Sequence, residues 1–230
     1  AIDDYRSGRK TGTEWWKINS DFYAPVQNHN VQVSGGTEVV DYFVNFVYMD
    51  QQGLYTTGDL NYNQYELTTN IGTKITQNLR ADFNIFGLTS EKNSPYNDVT
   101  NFWKAAWTFR PTTPAYANYD PKYMQNVEQG YNPPAITDSE ISGFRKNAER
   151  KVQVKGSLTW DVPWVEGLQA GASYAYDYNM WENKSLQKPY MLYDYDLNND
   201  EYISSMYSPL DGQESSSVRR DFSSETHTLM

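Results

Sequence analysis

The chain has 230 residues, 29 of them acidic and 19 basic, which gives a formal net charge of -10 and a sequence pI near 4.7. This balance argues against a nucleic-acid partner, because phosphate binding needs clustered cations. The absence of cysteine excludes a disulfide framework, a cysteine-ligated metal site and a thiol nucleophile. The mean hydropathy is -0.79, yet 16 % of the residues are aromatic. Most of these rings are tyrosines, a type enriched where one end of the ring is dry and the other wet.

Alternation of apolar and polar residues predicts six strands and the start of a seventh. In the second strand, Tyr42, Val44, Phe46 and Tyr48 share one face. In the fifth, apolar residues alternate with lysine, glutamine, serine and threonine. The predicted strands are 27–34, 39–50, 63–75, 79–90, 147–160 and 168–181, and the seventh begins at Phe222.

The connections between these strands alternate in length. Short turns with the sequences "GGTE", "TQN" and "PWVEG" join strands one to two, three to four and five to six. Long segments at 51–62, 91–146 and 182–221 separate the three pairs. In an up-and-down antiparallel sheet, all long segments then project from one end, which is the layout of an outer-membrane β-barrel.

One helix is predicted inside the longest connection. Asp98 is a candidate N-cap, and Pro111 marks the end. Between them, Val99, Phe102, Trp103 and Ala106 have helical spacing. A surface helix packed under the loop is the favoured interpretation.

Two fold classes fit this pattern: a soluble β-sandwich and a transmembrane barrel. Both have alternating strands, but charged residues on the polar faces and aromatic residues at the strand ends favour the barrel. Bacterial single-chain barrels have an even number of strands, from 8 upward, and an open lipid-facing edge leaves backbone groups unsatisfied. We therefore expect further strands outside this segment. The missing initiator methionine and the ending inside a predicted strand lead to the same expectation.

The stretch "TEWWKINSDFYAPVQNHNVQVSGGTEVVDYFVNFVYMDQQG" resembles the SusC/RagA family of TonB-dependent outer-membrane transporters of Bacteroidota. The later stretches "YNQYELTTNIGTKITQNLRADFNI", "FRPTTPAYANYDPKYM" and "RKNAERKVQVKGSLTWDVPWVEGLQAGASYAYDY" resemble further hairpins and a loop of the same barrels. The resemblance covers nearly the whole chain and implies an all-β fold. This fold is an antiparallel up-and-down transmembrane segment of six to seven strands, part of a 22-stranded plugged barrel with long extracellular loops.

The resemblance also implies roles for the segments. They are an extracellular loop tail (1–26), two barrel hairpins (27–90), a long extracellular loop with a short helix (91–146), a barrel hairpin (147–181), an extracellular loop (182–221) and the start of the next strand (222–230). The plug and the TonB box lie outside this segment. On the inward face, we expect Phe43, Asn45, Val47 and Met49 to pack against the plug.

The implied function is nutrient uptake, with glycan utilisation among the roles of the family: active import of oligosaccharides or peptides across the cell outer membrane. The implied partners are a SusD-like surface lipoprotein, the TonB–ExbB–ExbD complex acting through the missing plug region, the ligand and outer-membrane lipid. An alternative from the residues alone is a soluble all-β carbohydrate-binding module. We find no catalytic motif, so the chain is not expected to be an enzyme. His29 and His227 are too far apart in sequence to suggest a metal pair.

Aromatic residues with polar neighbours are concentrated in the long connections. Such rings stack on ligands, although clamping the loops onto each other or onto a lid protein is an equally simple role. The candidate ligand-binding residues are Trp103, Trp107, Tyr116, Tyr119, Tyr123 and Tyr193.

The stretch "DYDLNNDEY" places Asp194, Asp196, Asn198 and Asp200 at every second position, like the start of a calcium loop. Asn199 stands in place of the glycine at the sixth position, and Ser205 stands where a bidentate glutamate is needed. An acidic exposed loop is therefore favoured over a weak calcium site, and no other cofactor is expected.

Overall fold

The computed structural model describes residues 3, 6–7, 12–97, 99–207 and 215–230, which form nine strands. The strands are β1 (Val26–Gly36), β2 (Val40–Gln52), β3 (Asn61–Thr76), β4 (Leu79–Pro95), β5 (Gly143–Asp161), β6 (Gln169–Gln187), β7 (Tyr190–Asp196), β8 (Glu201–Tyr207) and β9 (Ser216–Leu229). Seven of them pair side by side in the order β1-β2-β3-β4-β5-β6-β9, and every neighbouring pair is antiparallel. The remaining two, β7 and β8, form a separate hairpin. The predicted antiparallel all-β class is confirmed.

The predicted alternation of connection lengths is also confirmed. Short turns at 37–39, 77–78 and 162–168 lie at one end of the main sheet. Long connections lie at the other end, between β2 and β3, between β4 and β5, and between β6 and β9. We call these the short-turn end and the long-loop end.

The predicted helix is confirmed as α1 (Val99–Thr108), and Pro111 follows its end. The predicted N-cap, Asp98, lies outside the described residues. Two single turns, α2 (Pro133–Ile136) and α3 (Ser139–Ser142), follow in the same connection. Among the helices described, none is long and apolar enough to cross a membrane.

Several strand limits differ from those predicted, among them the end of β4 at Pro95 instead of 90. β5 begins at Gly143 instead of 147, β6 ends at Gln187 instead of 181, and β9 begins at Ser216 instead of 222. These extensions are rich in charged and amide side chains, so period-2 counting of apolar residues did not detect them. The β7–β8 hairpin lies in a segment predicted as a loop, because its sequence is acidic and has no clear apolar alternation.

One face of the main sheet is apolar, and we call it the apolar face. Its central row runs in register across six strands: Val33, Val44, Thr69, Ile85, Val154 and Tyr176. Large side chains on this face, such as Tyr42, Phe46, Phe83 and Leu158, are 42 to 49 % exposed. Their neighbours within the sheet account for the rest of their burial, so among the described residues no second layer covers this face.

The opposite face, which we call the polar face, carries amides, hydroxyls and charges. Asn84 donates a hydrogen bond from Nδ2 to Oδ1 of Asn70 at 2.8 Å, and Gln153 donates to Asp177. The inward row predicted to contact a plug lies here, and the Oδ1 atom of Asn45 is buried without a partner among the described residues. The plug contact itself stays a prediction.

The hydrophobic core of the described residues lies outside the main sheet, at its long-loop end. Within the main sheet, the buried apolar side chains among the described residues are only Ala81, Ala148 and Pro95, the last at the long-loop end of β4. The segments 12–25, 53–60, 99–142 and 188–207 instead pack on one another, and we call them the loop module. Its core consists of Tyr55, Phe102, Ala135, Ile136, Tyr190 and Leu192.

Candidate ligand-binding site

The first segment of the loop module is fixed against the residues that follow α1. The backbone N–H of Thr13 donates to the carbonyl of Pro111 at 2.7 Å, and its hydroxyl donates to the carbonyl of Thr113 at 2.7 Å. The indole Nε1 of Trp15 donates to the carbonyl of Arg110 at 3.1 Å. These three bonds place the Trp15–Trp16 pair beside the helix, although about 90 residues separate them in sequence.

The same segment is fixed on its other side by two more connections. The amide of Asn19 donates from Nδ2 to the hydroxyl of Thr137 at 2.9 Å, in a fully buried contact. The backbone N–H of Asp21 donates to the carbonyl of Leu54 at 2.6 Å. Residues 12–25 of the segment predicted as a loop tail are therefore part of the loop module, while residues 1–2, 4–5 and 8–11 lie outside the described residues.

Two faces of α1 have different surroundings. Phe102 and Ala105 are buried in the core, where the Phe102 ring lies 5.3 Å from the Tyr55 ring. Trp103 and Trp107, one turn apart, face the first segment instead. Together with Trp15, Trp16 and Phe109 they line a cavity of about 730 Å³, which we call the tryptophan cavity.

The rings of the tryptophan cavity differ in exposure. Trp15 is 2 % exposed, and its ring packs edge to face on the Phe109 ring with the ring centres 5.3 Å apart, so Trp15 forms a fixed side of the cavity. Trp16, Trp103 and Trp107 are 42, 39 and 82 % exposed. Exposed indole faces around a cavity of this size can stack on a ligand ring or cover an apolar side chain.

Polar groups at the edge of the tryptophan cavity are few. Glu14 pairs with Lys17, and the Lys17 ammonium lies 5.3 Å from the centre of the Trp16 ring. The predicted residues Tyr116 and Tyr119 line a neighbouring cavity of about 330 Å³, which shares Glu14 with the first. Burial raises the pKa of the Tyr116 phenol, so this group is a neutral hydrogen-bonding partner at physiological pH.

The two remaining predicted residues, Tyr123 and Tyr193, lie in another part of the loop module. Their rings contact edge to face at 5.0 Å, and Tyr123 also stacks on Tyr202 at 3.9 Å. This cluster attaches the β7–β8 hairpin to the rest of the loop module. Ligand contact by the six predicted residues stays a prediction, but the geometry favours four of them: Trp103, Trp107, Tyr116 and Tyr119.

Sequence reasoning did not include Trp15, Trp16 and Phe109 among the ligand-binding candidates. No periodicity connects residues 15 and 16 with α1, and only the three hydrogen bonds described above, two of them donated by side chains, bring them together. The adjacent tryptophans were the available signal, because two large rings in a polar loop need a partner surface.

The calcium candidates do not converge. The Asp194 carboxylate accepts hydrogen bonds from Gln125 at 2.8 Å and Asn126 at 2.9 Å. Asp196 accepts from the backbone N–H of Asn198 at 2.8 Å, which lowers the pKa of its carboxyl. Asp200 accepts from the Tyr195 hydroxyl. Within the described ranges, no three histidine, aspartate or glutamate side chains are grouped as metal ligands. Calcium binding stays a prediction that this geometry does not favour.

Solved structures with a similar fold are those of the RagAB peptide importer. In its "open-open" state the TM-score is 0.61, with 15 % identity over 95 % of this chain. Two further structures, of the RagAB peptide transporter and of the "closed-closed" importer, give TM-scores of 0.55 and 0.52, also with 15 % identity over 95 % of this chain. No protein-family model and no curated protein matches the chain.

This chain shares its fold with part of these importers. It spans about 30 % of the length of the importer chains. The meander of the main sheet and the loop module at one end are thus an arrangement known from larger proteins.

Proposed function

We propose that this chain is a section of the wall and of the extracellular loops of a TonB-dependent outer-membrane transporter. The observation that carries the proposal is the contrast between the two faces of the main sheet. One face presents exposed Phe, Val, Leu and Tyr side chains, and the other presents amides and charges. A sheet between hydrocarbon and an aqueous lumen needs this contrast.

The position of the apolar residues supports this placement. Val31 and Glu225 belong to one cross-strand row of the main sheet, which passes through Phe46, Leu67, Gly87, Val152 and Tyr178. Apolar residues on β1 and β2 thus lie level with an acidic residue on β9. Along β9 from Glu225 toward the short-turn end, the next large apolar residue on this face is Leu229. The apolar band therefore runs obliquely toward the short-turn end.

Strand tilt gives a physical reason for the oblique band. Barrel strands are tilted by about 40°, and neighbouring strands are about 4.8 Å apart, so six inter-strand steps change the height by roughly 18 Å. The apolar band of an outer-membrane barrel is only about 25 Å tall. Glu225 can therefore lie in the headgroup region or above it, while Val31 contacts lipid.

The transported substrate is an oligopeptide or an oligosaccharide, which the tryptophan cavity contacts at the outer end of the lumen. A SusD-like lipoprotein covers the loop module, and TonB–ExbB–ExbD supplies energy through a plug. The similar solved structures are those of a peptide importer, and the sequence resemblance suggests both substrate classes and the partners. The chain itself forms barrel wall and loops and is not an enzyme.

Cysteine labelling in the full-length protein tests this proposal, because the chain itself has no cysteine. Other cysteines of the full-length protein are first replaced. We expect a membrane-impermeant thiol reagent to label a Leu197→Cys variant on intact cells, since Leu197 is 82 % exposed at the tip of the β7–β8 hairpin. A Glu38→Cys variant, in a short turn, reacts only after the outer membrane is permeabilised.

The third variant, Phe46→Cys, reports on the apolar face. We expect it to react only after detergent replaces the bilayer. Rapid labelling of Phe46→Cys in intact membranes, at the rate of Leu197→Cys, would contradict the proposal and favour a soluble all-β module. The exposed apolar face argues against the alternative of a soluble all-β carbohydrate-binding module, because exposed apolar patches of this extent lead soluble proteins to associate.

A further inference from the structure

A second kind of cavity lies on the polar face near the long-loop end, with a volume of about 300 Å³. We call it the arginine cavity. Its side chains include the guanidinium groups of Arg145 and Arg220, the amides of Asn147 and Asn183, and the hydroxyl of Ser185. No carboxylate is among the described residues that line it.

Strand register brings these groups together. Asn147 on β5 lies opposite Asn183 on β6, which lies opposite Arg220 on β9. One row further toward the long-loop end, Arg145 lies opposite Ser185. Because side chains alternate along a strand, all five belong to the polar face. Lys184 also lines the cavity, but its ammonium lies 5.9 Å from the ring of Phe144 and is directed to the apolar face.

Both arginines lack an acidic partner among the described residues. Arg219, the neighbour of Arg220 on the other face, contacts Glu182 at 3.4 Å and Asp221 at 3.0 Å. Arg145 and Arg220 have no carboxylate oxygen within 4 Å in the described part of the chain. The nearest acid along β5 on the same face is Glu149, which also makes no ion pair there. Two guanidinium groups in one cavity, both without an acidic partner among the described residues, are unexpected in a chain with a net charge of -10.

Arg145 is held in place without an acid. Its guanidinium lies 4.6 Å from the centre of the Tyr96 ring, and the residue is half-buried. A cation–π contact fixes the planar group and leaves its N–H donors free for another acceptor. A donor set that is already positioned loses less freedom when a ligand binds.

The geometry points to a binding site for a carboxylate group of the transported substrate. Guanidinium groups make charge-assisted, often bidentate hydrogen bonds to carboxylates, and the amides of Asn147 and Asn183 supply further N–H donors. The carboxylate belongs to an acidic oligopeptide or to a uronic-acid oligosaccharide, which share this chemistry. This inference rests on the proposed function, since it assumes that substrates enter along the polar face.

Binding to the full-length protein in detergent tests the arginine cavity. The probes are a fluorescent peptide amide with two aspartates, its asparagine analogue, trigalacturonate and neutral galactotriose. We expect an Arg145→Gln, Arg220→Gln variant to bind at least one acidic probe about tenfold more weakly than the wild type, and to bind both neutral probes unchanged. The acidic probe that responds identifies the substrate class.

The matched control is Arg219→Gln, which removes the same charge one residue away on the other face. We expect this variant to bind every probe as the wild type does. An equal loss in the control, or equal wild-type affinity for acidic and neutral probes, would overturn the carboxylate site. Inorganic phosphate is added as a competitor. Displacement of the acidic probes no greater than that caused by sodium chloride of equal ionic strength supports a specific carboxylate site, and displacement at micromolar phosphate contradicts it. These results are independent of the cysteine labelling, so failure of the site and failure of the membrane placement are distinguishable.

Discussion

The guanidinium of Arg80 on β4 reaches across β3 to the carboxylate of Asp41 on β2, with N–O distances of 2.8 and 3.1 Å. Its Nε also donates to Asp82 at 2.8 Å. Gly72, which lies between Asp41 and Asp82 in the register, provides the space above β3. A β-carbon on Gly72 would lie 1.9 Å from the Arg80 Nη2 atom. One glycine thus allows a three-strand charge cluster near the short-turn end.

The first prediction concerns Gly72. A Gly72→Ala substitution displaces the Arg80 guanidinium, so we expect a lower thermal midpoint of the full-length protein in detergent. In an Arg80→Gln background, Gly72→Ala has a smaller effect, because of these close contacts only the one between the β-carbon and the Asp41 Oδ2 atom, at 2.7 Å, remains. Gly87→Ala is the control, since a β-carbon there meets no atom within 4 Å. Equal losses in Gly72→Ala and Gly87→Ala would show that the glycine is needed for another reason.

The second prediction concerns Val31 and Glu225, which share one row of the main sheet. If the strands are tilted in a bilayer, Val31→Cys is protected from a membrane-impermeant thiol reagent and Glu225→Cys reacts. The measurement is the labelling rate in outer-membrane vesicles, with detergent-solubilised protein as the reference for full reactivity. Equal protection of both positions would exclude the oblique band.

The main sheet could be predicted from the sequence because its signal is local. Alternation assigned Tyr42, Val44 and Phe46 to one face, and turns such as "GGTE" fixed the pairing of β1 with β2. The ends of β5 and β6 were missed because polar residues such as Arg145 and Asn183 continue the ladder through backbone bonds alone. Backbone pairing does not require an apolar pattern.

The candidate site was only partly predictable. Trp103 and Trp107 could be predicted as candidates because they are aromatic residues with polar neighbours in a long connection, but their partners Trp15 and Trp16 come from a distant segment. The arginine cavity was missed for a similar reason. Arg145 and Arg220 are 75 positions apart in sequence, and the register of three strands brings them to one place. Contacts of this kind depend on tertiary structure, which single-sequence patterns do not contain.

The third prediction concerns Gly130 in the loop module, which has a backbone φ of +70°. A β-carbon there would lie 2.0 Å from the Tyr207 ring. Gly130→Ala therefore adds a steric clash of about 1–3 kcal/mol to the left-handed backbone penalty of about 1–2 kcal/mol. Gly58→Ala, at φ +74° with no atom within 4 Å, has only the backbone penalty.

Hydrogen exchange of the full-length protein can separate the two glycines. We expect Gly130→Ala to increase exchange at Tyr190 and Leu192, which belong to the core of the loop module. Gly58→Ala should leave these amides nearly as protected as in the wild type. If both variants exchange alike, the Tyr207 contact does not limit this position.

The fourth prediction concerns pH. Burial, together with the Tyr131 hydroxyl, raises the pKa of Tyr207 to about 12 from an ordinary 10.0, and burial also raises the pKa of Tyr190. Because the folded state favours the protonated phenol, this stabilisation is fully present below pH 10 and is lost as the pH rises through about 12. We expect the loop module to be equally stable at pH 7 and pH 8, to lose stability from about pH 10 and to open toward pH 12.

Two measurements check the alkaline transition. The tyrosinate absorbance of the wild type minus that of Tyr207→Phe gives a difference titration, with an expected midpoint near pH 12. The thermal midpoint of Tyr207→Phe should fall less between pH 10 and pH 12 than that of the wild type, because one titrating group is gone. A difference titration centred at pH 10 would mean that Tyr207 is accessible to water in solution.

The fifth prediction separates the exposed and buried rings of the tryptophan cavity. Trp107 is 82 % exposed, so Trp107→Ala should leave stability within about 0.5 kcal/mol of the wild type. Trp15 is buried and donates to the Arg110 carbonyl, so Trp15→Ala should reduce the stability of the loop module by about 3–5 kcal/mol.

Measurements of probe binding show whether the exposed Trp107 ring contacts a ligand or only packs against other loops. If Trp107 stacks on a ligand ring or side chain, Trp107→Ala lowers affinity by about 5- to 150-fold, the range of one to three kcal/mol that a stacked base contributes in other proteins. Probes with an aromatic residue or a sugar ring are titrated into the full-length protein, and Trp164→Ala serves as the control. Trp164 is 75 % exposed in the turn between β5 and β6, at the opposite end of the sheet. Ligand contact requires a loss of probe affinity in Trp107→Ala that Trp164→Ala does not show. If both variants bind the probes equally well, the exposed Trp107 indole contacts a covering protein instead.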